Sequence, residues 1–311
     1  MLVTMREILD TASKENYAVA APNVCNELDI RACLYAAEKM NSPVILNVAP
    51  TMTADIVFLG RYAAILADET TVPVALNLDH GGSENGGKAE DPVITDIMSG
   101  LKGDFTSVMV DRSKFSFEEN IRQVATLAKM AHALGLSVEA ELGHVGQGDN
   151  EDTEQDRKRQ FTDPAQAREY VEKTKVDCLA VSIGNSHGAY KNGAPHIDFE
   201  RLAEIKKAVN GLPLVLHGGS GTGEDNLRKA CSMGINKVNL CNDILISVGQ
   251  ALKAADLEAN GAYNIWSVIE YSFADKLMEF MELLGSKNKA WRKEKKYPAA
   301  KDRMLVALSS H

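Results

Sequence analysis

The chain has 311 residues, 45% of them hydrophobic, enough to bury one large core or two domains. Its net charge of -9, with no long basic block, excludes nucleic acid and anionic membranes as expected partners. Its five cysteines show no C-x-x-C spacing, the N-terminus has no apolar signal core, and no apolar run approaches the roughly 18 residues of a membrane span. The expectation is a cytoplasmic protein without a disulfide framework.

Eight strand–helix units can be counted along the chain. Apolar runs at 17–21, 44–48, 74–78, 107–110, 138–142, 178–183, 214–216 and 237–240 read as strands buried in a parallel sheet. Helical patterns fall between them at 28–40, 59–67, 117–134, 164–173, 199–209 and 225–233, with a long helical stretch after Asp243. Start and stop signals accompany several, such as Thr162-Asp163-Pro164 before one helix and Gly135 after another. This rhythm predicts an α/β fold, a (β/α)8 TIM barrel over 1–290 followed by a basic tail over 291–311. Two polar segments break it. Residues 81–91 are glycine-rich and long for a strand-to-helix connection, and residues 143–160 are almost entirely polar. The second follows the strand that bears Glu139 and Glu141, and it reads as a lid.

The third strand ends abruptly on Asp79, His80 and two glycines. An acid beside an imidazole at the mouth of a buried strand is costly to place there unless it is used. A turn-capping Asp beside a solvated His is the plainer alternative. Two later strands, however, also end at a histidine followed by glycine, at His187 and at His217. Three such residues favour a metal site, because neutral imidazoles suit zinc and a catalytic zinc keeps three protein ligands. In barrels of this kind the chemistry sits at the C-terminal strand ends. His132, His144, His196 and His311 lack that setting. A second device lies in small residues. Gly218-Gly219-Ser220-Gly221 and Asn239-Leu240-Cys241-Asn242 place backbone N–H groups ahead of helices, which suits a phosphate. The alternative is an ordinary flexible turn.

Six segments together carry a resemblance: Leu78-Asp79-His80-Gly81, Thr106 to Asp111 (TSVMVD), Val138 to Gly143 (VEAELG), Ile183 to Tyr190 (IGNSHGAY), Leu216 to Gly221 (LHGGSG) and Gly234 to Asn239 (GINKVN). In this order, from residue 1 to about 290, the chain resembles the class II, zinc-dependent ketose-bisphosphate aldolases, which include fructose-bisphosphate and tagatose-bisphosphate aldolases. The resemblance implies reversible cleavage of a ketose phosphate into dihydroxyacetone phosphate and an aldehyde. It implies zinc on His80, His187 and His217, with a second divalent or a monovalent cation as an addition. Asp79 would be the acid and base at the aldehyde oxygen. A lid carboxylate, one of Asp149, Glu151 and Asp152, would move the substrate's C–H proton. Gly188, Gly218, Gly219, Ser220, Asn239, Cys241 and Asn242 would hold dihydroxyacetone phosphate, Lys191 would bind substrate, and Asn23 and Lys253 would face the rest of the substrate. Asp111 and Glu141 fall where some members bind a second metal or orient the zinc ligands. The implied partner is a phosphorylated sugar, and the implied assembly a homodimer or homotetramer.

Several positions depart from the family pattern. Ala49-Pro50-Thr51 replaces a serine-containing segment, Lys253 stands where arginine is common, Asn242 replaces a threonine, and 83–91 looks like an insertion. The first two concern the far phosphate. The substrate therefore reads either as fructose or tagatose 1,6-bisphosphate, or as a ketose phosphate or deoxy sugar acid phosphate lacking the distal phosphate. A Schiff-base aldolase would need a lysine pointing into the barrel. The sixth strand has none, and Lys237 lies at the start of the eighth. A zinc hydrolase on this barrel would carry His-x-His on the first strand, where the chain reads Tyr17-Ala-Val-Ala-Ala-Pro22. A non-catalytic sugar-phosphate binder would need the ligands but not Asp79.

Overall fold

A computed structural model of the chain describes residues 1–53, 55–81, 92–146, 161–188, 190 and 193–291. Eight parallel strands form one sheet: β1 (Val19–Pro22), β2 (Val44–Val48), β3 (Val74–Gly81), β4 (Ser107–Val110), β5 (Ser137–Leu142), β6 (Cys178–Val181), β7 (Leu214–Leu216) and β8 (Ile235–Leu240). Their order is β1-β8-β7-β6-β5-β4-β3-β2. The two ends of that order meet just past β1, where Asn23 bridges Asn47 and the Val24 amide donates to the Asn47 carbonyl at 2.9 Å. The Asn47 side chain adds a hydrogen bond to the Ala21 carbonyl at 3.3 Å. The sheet is thereby curled into the expected TIM barrel. Its strands are buried nearly throughout, which is why they read as unbroken apolar runs.

Helices α2 (Glu27–Met40), α3 (Ile56–Glu69), α4 (Pro92–Lys102), α5 (Phe117–Ala133), α6 (Pro164–Thr174), α7 (Phe199–Ala208), α8 (Glu224–Ser232) and α9 (Asn242–Ala254) alternate with the strands. The stretch after Asp243 is two helices. A 3-10 turn (Ala259–Asn264) separates α9 from α10 (Ile265–Leu283). Helix α10 packs on α2 and α9 and buries Phe273, Leu277 and Met281.

Helix α1 (Met5–Glu15) lies outside the strand–helix count. A capping box starts it: the Thr4 hydroxyl accepts from the Glu7 amide, and Glu7 accepts from the Thr4 amide. Its buried face of Met5, Ile8, Leu9 and Ala12 has helical spacing and meets the inner-wall residues Val19, Ala21, Ile45, Ala75, Ala180 and Val215. The Arg6 amide donates to Ser137 Oγ at the start of β5, at 3.0 Å. The Ser13 hydroxyl donates to the Gly211 carbonyl before β7, at 2.9 Å. Helix α1 thus plugs the N-terminal end of the barrel and leaves the opposite mouth for chemistry.

Candidate metal centre at the barrel mouth

Strand β3 runs three residues past the expected 74–78 and carries Asp79 and His80 within it. In a regular strand, neighbours point to opposite faces. Here the register with β4 shifts between Leu78 and Gly81, and His80 adopts a left-handed φ of 51°. Such a bulge re-aims side chains, so adjacent Asp79 and His80 both serve the mouth. A left-handed non-glycine residue costs on the order of 1–3 kcal/mol and gathers at functional sites.

His217 follows β7 directly, and His187 lies in the loop after β6. The ring centroids are 5.2 Å apart for His80 and His187, 4.8 Å for His80 and His217, and 5.5 Å for His187 and His217. One ligand nitrogen from each lies within 4.8 Å of the others. Local hydrogen bonds hold this geometry. Asn185 donates to the His217 carbonyl at 3.0 Å, and the His187 amide donates to the Gly146 carbonyl at 2.8 Å. The Tyr190 hydroxyl accepts from the Ser186 amide at 2.8 Å and donates to the Ser186 carbonyl at 3.0 Å. Gly218 has a φ of 64°, and a Cβ there would lie 1.9 Å from the Ser186 carbonyl oxygen. Only glycine lets the loop after β7 approach the loop bearing His187 so closely.

His217 is fully buried between two carboxylates. Its Nε2 faces Glu139 Oε1 at 2.9 Å in a hydrogen bond, so Nε2 carries the proton. Its Nδ1 lies 3.3 Å from Glu141 Oε2, but the two are misaligned, and neither atom has a hydrogen-bond partner. A buried imidazole nitrogen and a buried carboxylate oxygen, both orphaned and both turned to the same focus, fit a bound cation. Asp111 places His80 in a complementary way. Its Oδ2 meets His80 Nδ1 at 3.3 Å while Oδ1 accepts from the Ser113 amide and hydroxyl, leaving His80 Nε2 for a ligand. His80, Asp111 and Glu141 also form a second group of potential ligands, which shares His80 with the first.

Electrostatics sharpen the picture. Burial lowers the pKa of His217, but the hydrogen bond to Glu139 and the negative charges of Glu139 and Glu141 outweigh it and raise the value to about 10. Burial and the neighbouring imidazoles push His187 down to about 3, so it stays neutral. Burial would raise Asp79, yet His80, Lys237 and His217 together hold its carboxyl below the usual range. Asp79 is 3% exposed, and each oxygen accepts one amide hydrogen bond at 3.3 Å, from Asn23 and from Asn239. The two asparagines expected to face substrate therefore also grip the acid.

The small-residue station lies beside this cluster. The Ser220 hydroxyl accepts from the backbone N–H groups of Cys241 and Asp243 at 3.2 Å each, and the Gly219 amide donates to the Asn239 carbonyl at 3.0 Å. Asp243 accepts from the Gly221 amide at 2.9 Å. Cys241 and Asn242 open α9 at this station, and Gly188, with a φ of 79°, lies next to His187. Lys253 is not brought there. It is exposed near the far end of α9, roughly 16 Å along the helix axis from Asn242. Asp149, Glu151, Asp152, Lys191 and the segment 83–91 lie outside the described residues.

Reading the chain alone passed over Glu139 and Lys237 as working residues. Lys237 Nζ reaches Glu139 Oε2 at 2.6 Å, and both side chains are fully buried. The available signal was a lysine inside an apolar strand, which demands a buried partner.

Comparison with known proteins shows the family and the fold. The family model for fructose-bisphosphate aldolase class-II matches residues 3–289. A probable fructose-bisphosphate aldolase from Bacillus subtilis (strain 168) is 40% identical over 261 residues, covering 81% of this chain and 85% of the relative. A fructose-bisphosphate aldolase from Thermus caldophilus is 39% identical over 270 residues, covering 79% and 85%. Among solved structures, the YdjI aldolase from Escherichia coli K12 superposes with a TM-score of 0.79 at 31% identity, covering 94% of this chain and all of that one. Fructose-bisphosphate aldolase from Campylobacter jejuni superposes at 0.76 with 26% identity, covering 93% and 97%.

Proposed function

The chain belongs to the class II fructose-bisphosphate aldolases, carbon–carbon lyases, and on that premise we propose a zinc-dependent enzyme that cleaves a ketose 1,6-bisphosphate of the fructose or tagatose type. Its products are dihydroxyacetone phosphate and an aldehyde. The observation that carries this reading is the convergence of His80, His187 and His217 beside Asp79 at one barrel mouth. These three imidazoles would hold zinc, with Glu141 facing the same focus. When bound, the metal supplies Lewis acidity towards the substrate carbonyl.

The chain's own residues perform the remaining work. In the cleavage direction, Asp79 takes the proton of the C4 hydroxyl as the C3–C4 bond breaks, and in condensation it returns that proton to the aldehyde oxygen. Asn23 and Asn239 hold its two oxygens from either side. One of Asp149, Glu151 and Asp152 moves the C–H proton of the dihydroxyacetone half. Gly188, Gly218, Gly219, Ser220, Cys241 and Asn242 bind the phosphate of that half beside the N-terminus of α9. The barrel is one domain over 1–290, it works in the cytoplasm, and it assembles as a homodimer or homotetramer.

A second reading concerns the aldehyde half. Ala49 is buried and has no hydroxyl to offer, and Lys253 is remote within its own chain. Both favour a ketose phosphate without the distal phosphate. A cleavage screen across ketose mono- and bisphosphates, following dihydroxyacetone phosphate, separates the readings. A kcat/KM of about 10⁴ M⁻¹s⁻¹ or more on fructose 1,6-bisphosphate, with a large preference over monophosphates, supports the first. The reverse preference supports the second, and no product from any of them refutes both.

A further inference from the structure

Inside the barrel, beside the candidate metal ligands, three side chains from β8, β5 and the residue after β7 form a continuous chain of contacts. Lys237 of β8 donates to Glu139 Oε2 at 2.6 Å, and Glu139 Oε1 of β5 accepts from His217 Nε2 at 2.9 Å, immediately after β7. All three side chains are fully buried. The Cys178 thiol also approaches Glu139 Oε2, at 3.9 Å.

A buried ion pair is an expensive way to fill a core, since apolar residues of the same volume are often as stable or more so. The geometry shows what a charged group does here that an apolar one would not. With one oxygen anchored by Lys237, Glu139 turns the other towards Nε2 and fixes the imidazole's tautomer. Nδ1, which has no hydrogen-bond partner and lies 3.3 Å from Glu141 Oε2, is then the nitrogen left to give its lone pair to a metal once its proton is displaced, in a residue grouped with His80 and His187. We propose that Lys237 is a positioning residue for the metal centre, acting through Glu139 to lock His217 with Nδ1 as its ligating atom. The lysine's amine is committed to the carboxylate inside a closed core, so it serves this reaction without being a nucleophile. This rests on the metal reading above.

Two measurements test it. The first uses the wild-type protein labelled with ¹⁵N-histidine and loaded with zinc. His217 should show a metal-bound Nδ1 and a slowly exchanging proton on Nε2; zinc on Nε2 would overturn the proposal. The second measures zinc affinity by competition with a chelator in the double variant Glu139→Leu/Lys237→Met, which removes both charges and so avoids an unpaired one. Outer-sphere partners of ligating histidines are worth about 10–100-fold in metal affinity. A folded double variant should bind zinc at least fivefold more weakly than wild type, and its cobalt form should show altered visible bands. Zinc affinity within fivefold of wild type in that folded variant would reduce the pair to core filling and overturn the proposal. If the double variant does not fold, the labelling result alone decides. A wild-type protein that binds no zinc would refute the metal reading, a result distinct from either.

Discussion

At the scale of single residues, the site depends on a few side chains whose jobs separate cleanly. Asp79 is gripped by two asparagines and ligates nothing in the metal cluster, so Asp79→Asn should keep its zinc and lose turnover. General acid–base catalysis is typically worth about 10²–10⁴-fold, and kcat should fall within that range while metal content stays at wild type. His217→Ala should lose metal as well. Equal zinc loss in both variants would reverse the assignment. His217 also sets a pH dependence. In the metal-free protein its pKa is raised to about 10, so below that pH a metal must displace a proton to bind Nδ1. Zinc affinity should therefore climb with pH by about tenfold per unit between roughly 7.5 and 9. An ordinary imidazole, titrating near 6.5, would give a flat profile there, and a flat profile would contradict the geometry around His217.

At the scale of elements, the strands were legible in the sequence because a buried parallel strand is a short unbroken apolar run, and all eight expected runs fall within a few residues of the observed ones. The exception in length is β3, which continues through Asp79 and His80 to Gly81. A register-shifting bulge there is a pairing property between two strands, and no single strand spells it out. Helix α1 was missed although its capping box, Thr4 to Glu7, was available, because a helix ahead of the first strand has no place in a strand–helix count. Helix α4 went unassigned beside the glycine-rich 82–91 segment, although its apolar residues recur at helical spacing. The three histidines and Asp79 could be read because each is local to a strand end. The Lys237–Glu139–His217 chain could not, because its members are 98 and 78 residues apart. Two substitutions test these elements. Leu9→Ala in α1 should cost about 2–5 kcal/mol of stability by chemical denaturation, with kcat of the folded enzyme unchanged, since α1 plugs the end opposite the site. A fall in kcat at full folding would mean the plug and the mouth are coupled. Gly218→Ala should do the opposite. The left-handed backbone and the Ser186 carbonyl leave no room for a Cβ, so aldol cleavage should fall at least about tenfold as the loops after β6 and β7 are forced apart. Wild-type kcat/KM in that variant would rule out the close approach.

At the scale of the whole molecule, the barrel is closed by α1 at one end and gathers candidate ligands from β3 and from the segments after β6 and β7 at the other. A metal there ties together three strands that are far apart in sequence. Binding only to the folded state stabilises it by RT ln(1 + [zinc]/Kd), about 4 kcal/mol at a thousandfold excess over Kd, so removing the metal should lower Tm as well as activity. In the proposed mechanism a metal rather than a lysine Schiff base is central, a reading supported by the three imidazoles at that mouth and the commitment of buried Lys237 to Glu139. The most direct measurement is a zinc titration of the chelator-stripped enzyme, following dihydroxyacetone phosphate production with and without borohydride. The account predicts no activity in the stripped enzyme, recovery in proportion to bound zinc, and indifference to borohydride. Full activity in metal-free protein, or inactivation by borohydride with substrate attached to a lysine, would contradict it.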